Sequence, residues 1–263
     1  MSVIEQAFTK IPTKQSDQVC DKHNIHMIYA EGHDPFCLEC QKEQIVAEKK
    51  RQDSINTQQS IKGYLKRVSL IDEPHELEYT FNKFDALDGS PEAYIKKQAR
   101  ILAYDYVKHP DKQFNSLLFG KPGEGKTMLA MAALNAINEF SKPAQRCLFV
   151  NINSLFLAIK DSFDNPTSPW TEAMAIKRLA TADVLVIDDL GSESVMDDAK
   201  GSASNFVQKI LYQITNRQHR IIITTNMSIK QFKQAYNPKI VSRILSGSKG
   251  HQLDFSGIKD KRY

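Results

Sequence analysis

Residues 115–131 read Asn115-Ser-Leu-Leu-Phe-Gly-Lys-Pro-Gly-Glu-Gly-Lys-Thr-Met-Leu-Ala-Met131. Leu117, Leu118 and Phe119 form a short apolar run of the kind a buried parallel strand carries. Gly120-Lys121-Pro122-Gly123-Glu124-Gly125-Lys126-Thr127 then fits G-x-x-x-x-G-K-[ST] at every fixed position. Met128 to Asn138, free of Gly and Pro and rich in Ala, Leu and Met, predicts a helix. Strand, glycine loop and helix in this order set the motif apart from an ordinary glycine turn and predict an α/β fold with a parallel sheet. Glycines let backbone N–H groups curl around phosphate oxygens, and the helix N-terminus adds its positive dipole end. Gly120 to Met128 are therefore the candidate triphosphate cradle. Lys126 is placed for the β/γ-phosphates and the Thr127 hydroxyl for Mg²⁺.

A second landmark is Asp183-Val-Leu-Val-Ile-Asp188-Asp189. Four β-formers followed by paired carboxylates predict a buried strand with its acids at the carboxyl edge of the sheet, where ligands of open α/β folds bind. Asp188 is the candidate Mg²⁺ ligand and Asp189 the group that orients or deprotonates the attacking water; an N-cap aspartate is the competing reading. Arg220-Ile-Ile-Ile-Thr-Thr-Asn226 predicts a third buried strand whose terminal Asn226 reaches the γ-phosphate or that water, a loop-capping Asn being the alternative. Cys147-Leu-Phe-Val150 reads as a further strand, with Cys147 a buried core thiol.

The N-terminal region carries different chemistry. Three of the four cysteines fall in Cys20-Asp-Lys-His23 and Cys37-Leu-Glu-Cys40, two knuckles thirteen residues apart. This is the spacing of a closed tetrahedral zinc site, which folds a segment too short to bury a core. His26 and His33 compete with His23 as fourth ligand. Disulfides are the other use of such cysteines, and a cytoplasmic location argues against them.

Over 263 residues the net charge is only +4, and 41% of residues are hydrophobic, enough for a real core. Charge is uneven: from Ser228 onward eight Lys/Arg face two Asp, and from Gln41 to Leu70 seven face three acids. Two basic zones suit a polyanion, although solvated helix faces explain them as well. Nothing approaches eighteen consecutive apolar residues and Met1 to Lys10 lacks a signal-peptide core, so a cytoplasmic protein without a membrane partner is expected.

Gln41 to Leu70 favours helix, weakened at Gly63; Pro74 breaks the pattern and residues 71–78 read as a linker. The expected organisation is a zinc-bearing module over 1–70, that linker, and a nucleotide-binding domain over 79–263. Ser90-Pro91-Glu92 starts an amphipathic helix whose aromatic residues are expected in the core. Asn153 to Phe163 and Thr171 to Leu179 form a helical detour longer than a plain crossover needs. Gly191 to Ser204 reads as a polar loop and Ser2 to Lys14 as a short helix at most. Arg243, in Val-Ser-Arg-Ile-Leu, reads locally as a surface salt-bridge residue.

Together these residues resemble the AAA+ ATPases of the DnaC/DnaI type, loaders of replicative DNA helicases. The resemblance runs from about Tyr79 to Tyr263 and rests on Thr80 to Phe84, GKPGEGKT, VLVIDDL, IIITTN, Ser-Arg-Ile and a closing Gly257…Arg262-Tyr263. It implies that Asp188 and Asp189 are Walker B acids, Asn226 is sensor 1 and Arg243 an arginine finger acting on a neighbouring subunit. It further implies ATP, Mg²⁺ and Zn²⁺ as cofactors, and a hexameric replicative helicase, single-stranded DNA and self-association as partners. AAA+ proteins usually have Asp-Glu here, whereas the family this chain resembles and the chain itself have Asp-Asp, which suits a slow, timed switch, and no sensor 2 arginine or helical lid is evident. An IstB-like transposition helper that coats DNA shares nearly the same core; the zinc module argues against it. A small-molecule P-loop kinase needs an arginine-rich lid that is absent.

Overall fold

The computed structural model describes residues 13–30, 32–192 and 204–261. The chain divides into two compact units, residues 1–59 and 60–263. The readings of Ser2 to Lys14 as a short helix, of most of the Gly191–Ser204 loop and of the Arg262-Tyr263 pair lie wholly or largely outside the described residues.

In the first unit, strands β1 (Thr13–Val19) and β2 (His26–Ala30) form an antiparallel hairpin. β1 is polar and β2, His-Met-Ile-Tyr-Ala, is a short apolar run, so neither carries the alternation that marks a half-buried strand. Helix α1 (Leu38–Lys62) follows and buries none of its side chains. Among the described residues of this unit only Cys20 and Cys37 are buried, so these residues form no apolar core.

The second unit opens with α2 (Tyr64–Val68), which starts after Gly63 and buries Leu65. Leu70 then bridges Val150, the expected linker follows with a 3-10 turn at Pro74–Glu78, and Phe84 ends fully buried. Residues 60–78 cluster with this unit. Ser90 caps α3 (Pro91–Lys108) by accepting from the Ala93 N–H at 3.1 Å. Of the apolar repeat at 94, 95, 99, 102, 103 and 106, all but Tyr94 are buried; Tyr106 is core as expected, while Tyr94, in the first turn, is 64% exposed, contrary to expectation.

Strand β3 (Ser116–Phe119) leads through the glycine loop into α4 (Lys126–Phe140). Strands β4 (Cys147–Asn151), β5 (Val184–Asp188), β6 (Ile221–Thr225) and the short β7 (Gln252–Asp254) complete a parallel sheet in the order β4-β5-β6-β3-β7. The expected detour is α5 (Ile152–Asp161) and α6 (Glu172–Ala180), within a few residues of the readings; α7 (Asn205–Thr215), α8 (Ile229–Ala235) and α9 (Pro238–Leu245) come after it. Strand residues alternate between two cores. Leu118, Phe149, Val186 and Ile222 pack with α3 and α4, while Leu148, Ile187, Ile221 and Ile223 pack with α5 to α9. Burial on both faces is why these strands read as continuous apolar runs. The carboxyl edge of the sheet carries Phe119, Asn151, Asp188 and Thr225 side by side.

Candidate nucleotide and metal sites

Gly123 and Gly125 sit at φ +84° and +85°, the left-handed region where glycine is favoured. A Cβ on Gly123 would run into the Asp260 carboxylate, and one on Gly125 would lie 2.6 Å from Phe84 Cε2. The glycines thus make room for their neighbours as well as for the turn. Helix α4 begins at Lys126, directly after Gly125. Its first N–H groups have no carbonyl one turn back, and the dipole is positive there, so a phosphate satisfies both.

A cleft of about 360 Å³ opens at this end of the sheet. Pro122, Gly123, Gly125, Lys126, Thr127 and Met128 line it from the loop, Asp188 and Asp189 from β5, and Thr224 and Asn226 from the β6 edge. Gly120, Lys121 and Glu124 are not among the lining residues. The Lys121 carbonyl accepts from Lys126 Nζ at 2.6 Å, and the buried Glu124 carboxylate folds back against Gly120.

The two motifs meet in the cleft. Thr127 Oγ1 donates to Asp188 Oδ2 at 3.2 Å, and Thr224 Oγ1 donates to Oδ1 at 2.6 Å. Burial pushes the Asp188 carboxyl up to about 7, against the lowering effect of those two hydroxyls. A hydroxyl and a carboxylate brought together in a buried cleft are the hard oxygen donors Mg²⁺ takes, and its charge would hold Asp188 ionised. Asp189 adopts φ +57°; its N–H donates to Thr224 Oγ1 at 2.8 Å and its Oδ1 accepts from Asn226 Nδ2 at 2.8 Å. The pair Asp189–Asn226 is thereby fixed beside Asp188. Arg243, on α9, does not line the cleft. Its guanidinium lies 4.4 Å from the Tyr212 ring centroid and donates to Asn216 Oδ1 at 3.0 Å, with no salt bridge among the described residues.

In the first unit, Cys20, His23, Cys37 and Cys40 offer ligand atoms all within 4.8 Å of one another. His23 Nδ1 lies 3.8, 3.5 and 3.3 Å from the sulfurs of Cys20, Cys37 and Cys40, and the Cys20 and Cys40 sulfurs are 3.7 Å apart. Tetrahedral bonds of ordinary Zn–S and Zn–N length require edges of about 3.8 and 3.6 Å, so the cluster fits zinc. The backbone N–H of His23 leads the interactions that lower the Cys20 thiol to about 6, while burial raises Cys40 to about 11. Cys37 and Cys40 bracket the start of α1. His26 turns instead to the Ser16 carbonyl, and neither it nor His33 joins the cluster.

The IstB-like ATP binding protein family matches residues 51–260. The chain belongs to this family. Among solved structures, it is similar to DnaI, with 23% identity, TM-score 0.53 and coverage of 74% of this chain and 96% of that one. It is also similar to AMPPCP-bound DnaA from Aquifex aeolicus, with 18% identity, TM-score 0.52 and coverage of 70% and 52%. A replication initiator DnaA bound to AMPPCP and single-stranded DNA gives 18%, 0.50, 67% and 49%. These likenesses show the fold; the chain spans about half the length of the DnaA structures it matches. No curated protein matches it. The fold is that of an AAA+ protein of DnaC/DnaI type, and no described helix is long and apolar enough to cross a membrane.

In this IstB-like ATP-binding chain the Cys₃His cluster precedes the residues the family matches. Sequence reading missed Glu43, whose Oε1 lies 3.2 Å from His23 Nε2 while Lys22 holds its other oxygen. Its position three residues after Cys40, one turn along a helix from a ligand, was the available signal. A carboxylate on the outer nitrogen orients a metal-bound imidazole. Glu43→Gln is expected to weaken zinc affinity roughly 10- to 100-fold by chelator competition; unchanged affinity would show Glu43 to be a bystander.

Proposed function

We propose that this protein hydrolyses ATP with Mg²⁺ and uses the cycle to place a hexameric replicative helicase on single-stranded DNA. The observation that carries this reading is the shared cleft of Lys126, Thr127, Asp188, Asp189 and Asn226, in a chain that also bears a metal-knuckle module ahead of the ATP-binding family region. Bound Mg²⁺, held by Thr127 and Asp188, supplies charge neutralisation on the phosphates. Lys126 and the loop N–H groups bind the triphosphate; Asp189, held by Asn226, orients the attacking water. An aspartate is one methylene shorter than the usual glutamate, which suits slow turnover. Arg243 acts on the nucleotide of a neighbouring subunit when the domains assemble. The zinc module grips the helicase, and the basic zones engage DNA, as one similar DnaA structure binds single-stranded DNA.

The family's own name favours a second reading, a transposition helper that coats DNA. Co-purification separates them. The full chain is expected to retain a replicative helicase in the presence of ATP and to lose it when Cys37→Ser removes a zinc ligand. Indifference to every helicase offered, with ATP-dependent coating of double-stranded DNA, would favour the transposition reading.

A further inference from the structure

The cleft holds two acids that no motif explains, Asp72 and Glu76, both from the segment read as a linker. Asp72 is already engaged. Its Oδ2 accepts from Asn151 Nδ2 at 2.8 Å and its Oδ1 from Ser154 Oγ at 2.8 Å, tying the segment to the end of β4 and the start of α5. Leu70 reinforces the tie by donating to the Phe149 carbonyl and accepting from the Asn151 N–H, at 2.9 and 2.8 Å. On its other side, the carbonyls of Leu77 and Tyr79 accept from Asn135 Nδ2 of α4 at 3.0 and 2.9 Å.

Glu76 therefore stands in a single 3-10 turn held at both ends. One anchor is at the sheet edge that carries Asp188, the other at Asn135, farther along the helix that begins with Lys126 and Thr127. Half-buried, its carboxyl is raised chiefly by burial and further by the charge of Asp72, and it adds to the elevation of Asp188. Like charges gathered in a recessed cleft repel, and a fixed backbone cannot relieve that by moving away. A divalent cation relieves it. Mg²⁺ keeps several of its waters and takes few carboxylates directly, which leaves water hydrogens for an acid one layer out.

We propose that Glu76 is a third carboxylate of the magnesium-nucleotide site, a positioning residue that accepts hydrogen bonds from water on the cation held by Thr127 and Asp188. The inference rests on the ATP reading above and adds a residue that the Walker motifs do not contain. It gives the Asp-Asp pair a glutamate supplied from elsewhere in the chain.

The test is equilibrium binding of a fluorescent, non-hydrolysable ATP analogue to the full-length chain, with Mg²⁺ titrated from an EDTA baseline. Glu76→Gln keeps the side chain's size and removes its charge. It is expected to raise the half-saturating Mg²⁺ concentration about tenfold, the scale of outer-layer ligand effects. Binding in EDTA should be unchanged or tighter, because one negative charge facing the triphosphate is gone. Glu76→Asp should recover part of the Mg²⁺ response. A Glu76→Gln titration superimposable on wild type overturns the assignment. So does equal loss of binding with and without Mg²⁺, which would mark a structural prop, or a normal Mg²⁺ response with a collapsed kcat, which would mark a proton acceptor. A wild-type chain that binds no analogue under either condition overturns the nucleotide reading itself, which Lys126→Ala tests independently.

Discussion

Assemblies of Arg243→Ala subunits are expected to hydrolyse ATP roughly 10³-fold or more slowly than wild type, within the 10³–10⁵ range an arginine finger supplies. Nucleotide binding should change little, because Arg243 does not line the cleft of its own chain. It sits half-buried on α9, stacked on Tyr212 and hydrogen-bonded to Asn216. On the proposed reading it acts on another subunit's nucleotide. Mixing supplies the decisive measurement. A Lys126→Ala subunit has a finger but no working loop, and an Arg243→Ala subunit has the reverse. Each alone should be inactive, and their mixture should regain activity at junctions that combine the two good halves. No recovery, or wild-type turnover by Arg243→Ala alone, sinks the assignment. Arg243→Lys and the thermal midpoint of each variant separate lost chemistry from lost packing on Tyr212 and Asn216, a stacked site where lysine is a poor substitute.

The residues legible in advance were those on which a ligand or the parallel sheet imposes strict demands. A triphosphate requires Gly123, Gly125, Lys126 and Thr127 at fixed spacing, and a strand buried on both faces requires the apolar run before Asp188. The structure brings those two stretches within one hydrogen bond, Thr127 to Asp188. What stayed hidden depends on contacts made across the fold. Pro74 reads as a breaker, yet here it starts a 3-10 turn that carries Glu76 into the cleft. Asp260 and Lys261 lie against the glycine loop, the Lys261 N–H donating to the Gly123 carbonyl at 2.8 Å, and nothing in their local pattern marks that. Helical period placed α3 and Tyr106 correctly but not Tyr94, since an amphipathic helix fixes which stripe is apolar and leaves the width of that stripe to packing.

Stripping zinc should unfold residues 13–59 and leave the ATP-binding unit intact. The reasoning is a matter of what else is available to hold the first unit. Its hairpin is two-stranded, a form marginal at best in water, and its only buried described residues are Cys20 and Cys37, two of the four candidate metal ligands. With no apolar core among the described residues, metal binding would supply the folding free energy, on the order of 10–16 kcal/mol in small zinc modules. That exceeds any single packing change, so Cys37→Ser should be as damaging to this unit as a chelator. Thiol chemistry gives a direct readout. Cys147 lies fully buried in β4, where burial also pushes its thiol up, so it should stay silent. On chelation the remaining three of the four cysteines should become reactive together, as protease sensitivity appears within residues 13–59. Binding of an ATP analogue should persist throughout, because no residue of that unit lines the cleft. If the three thiols react just as readily in the untreated protein, or if the hairpin survives chelation, the cluster is not a zinc site.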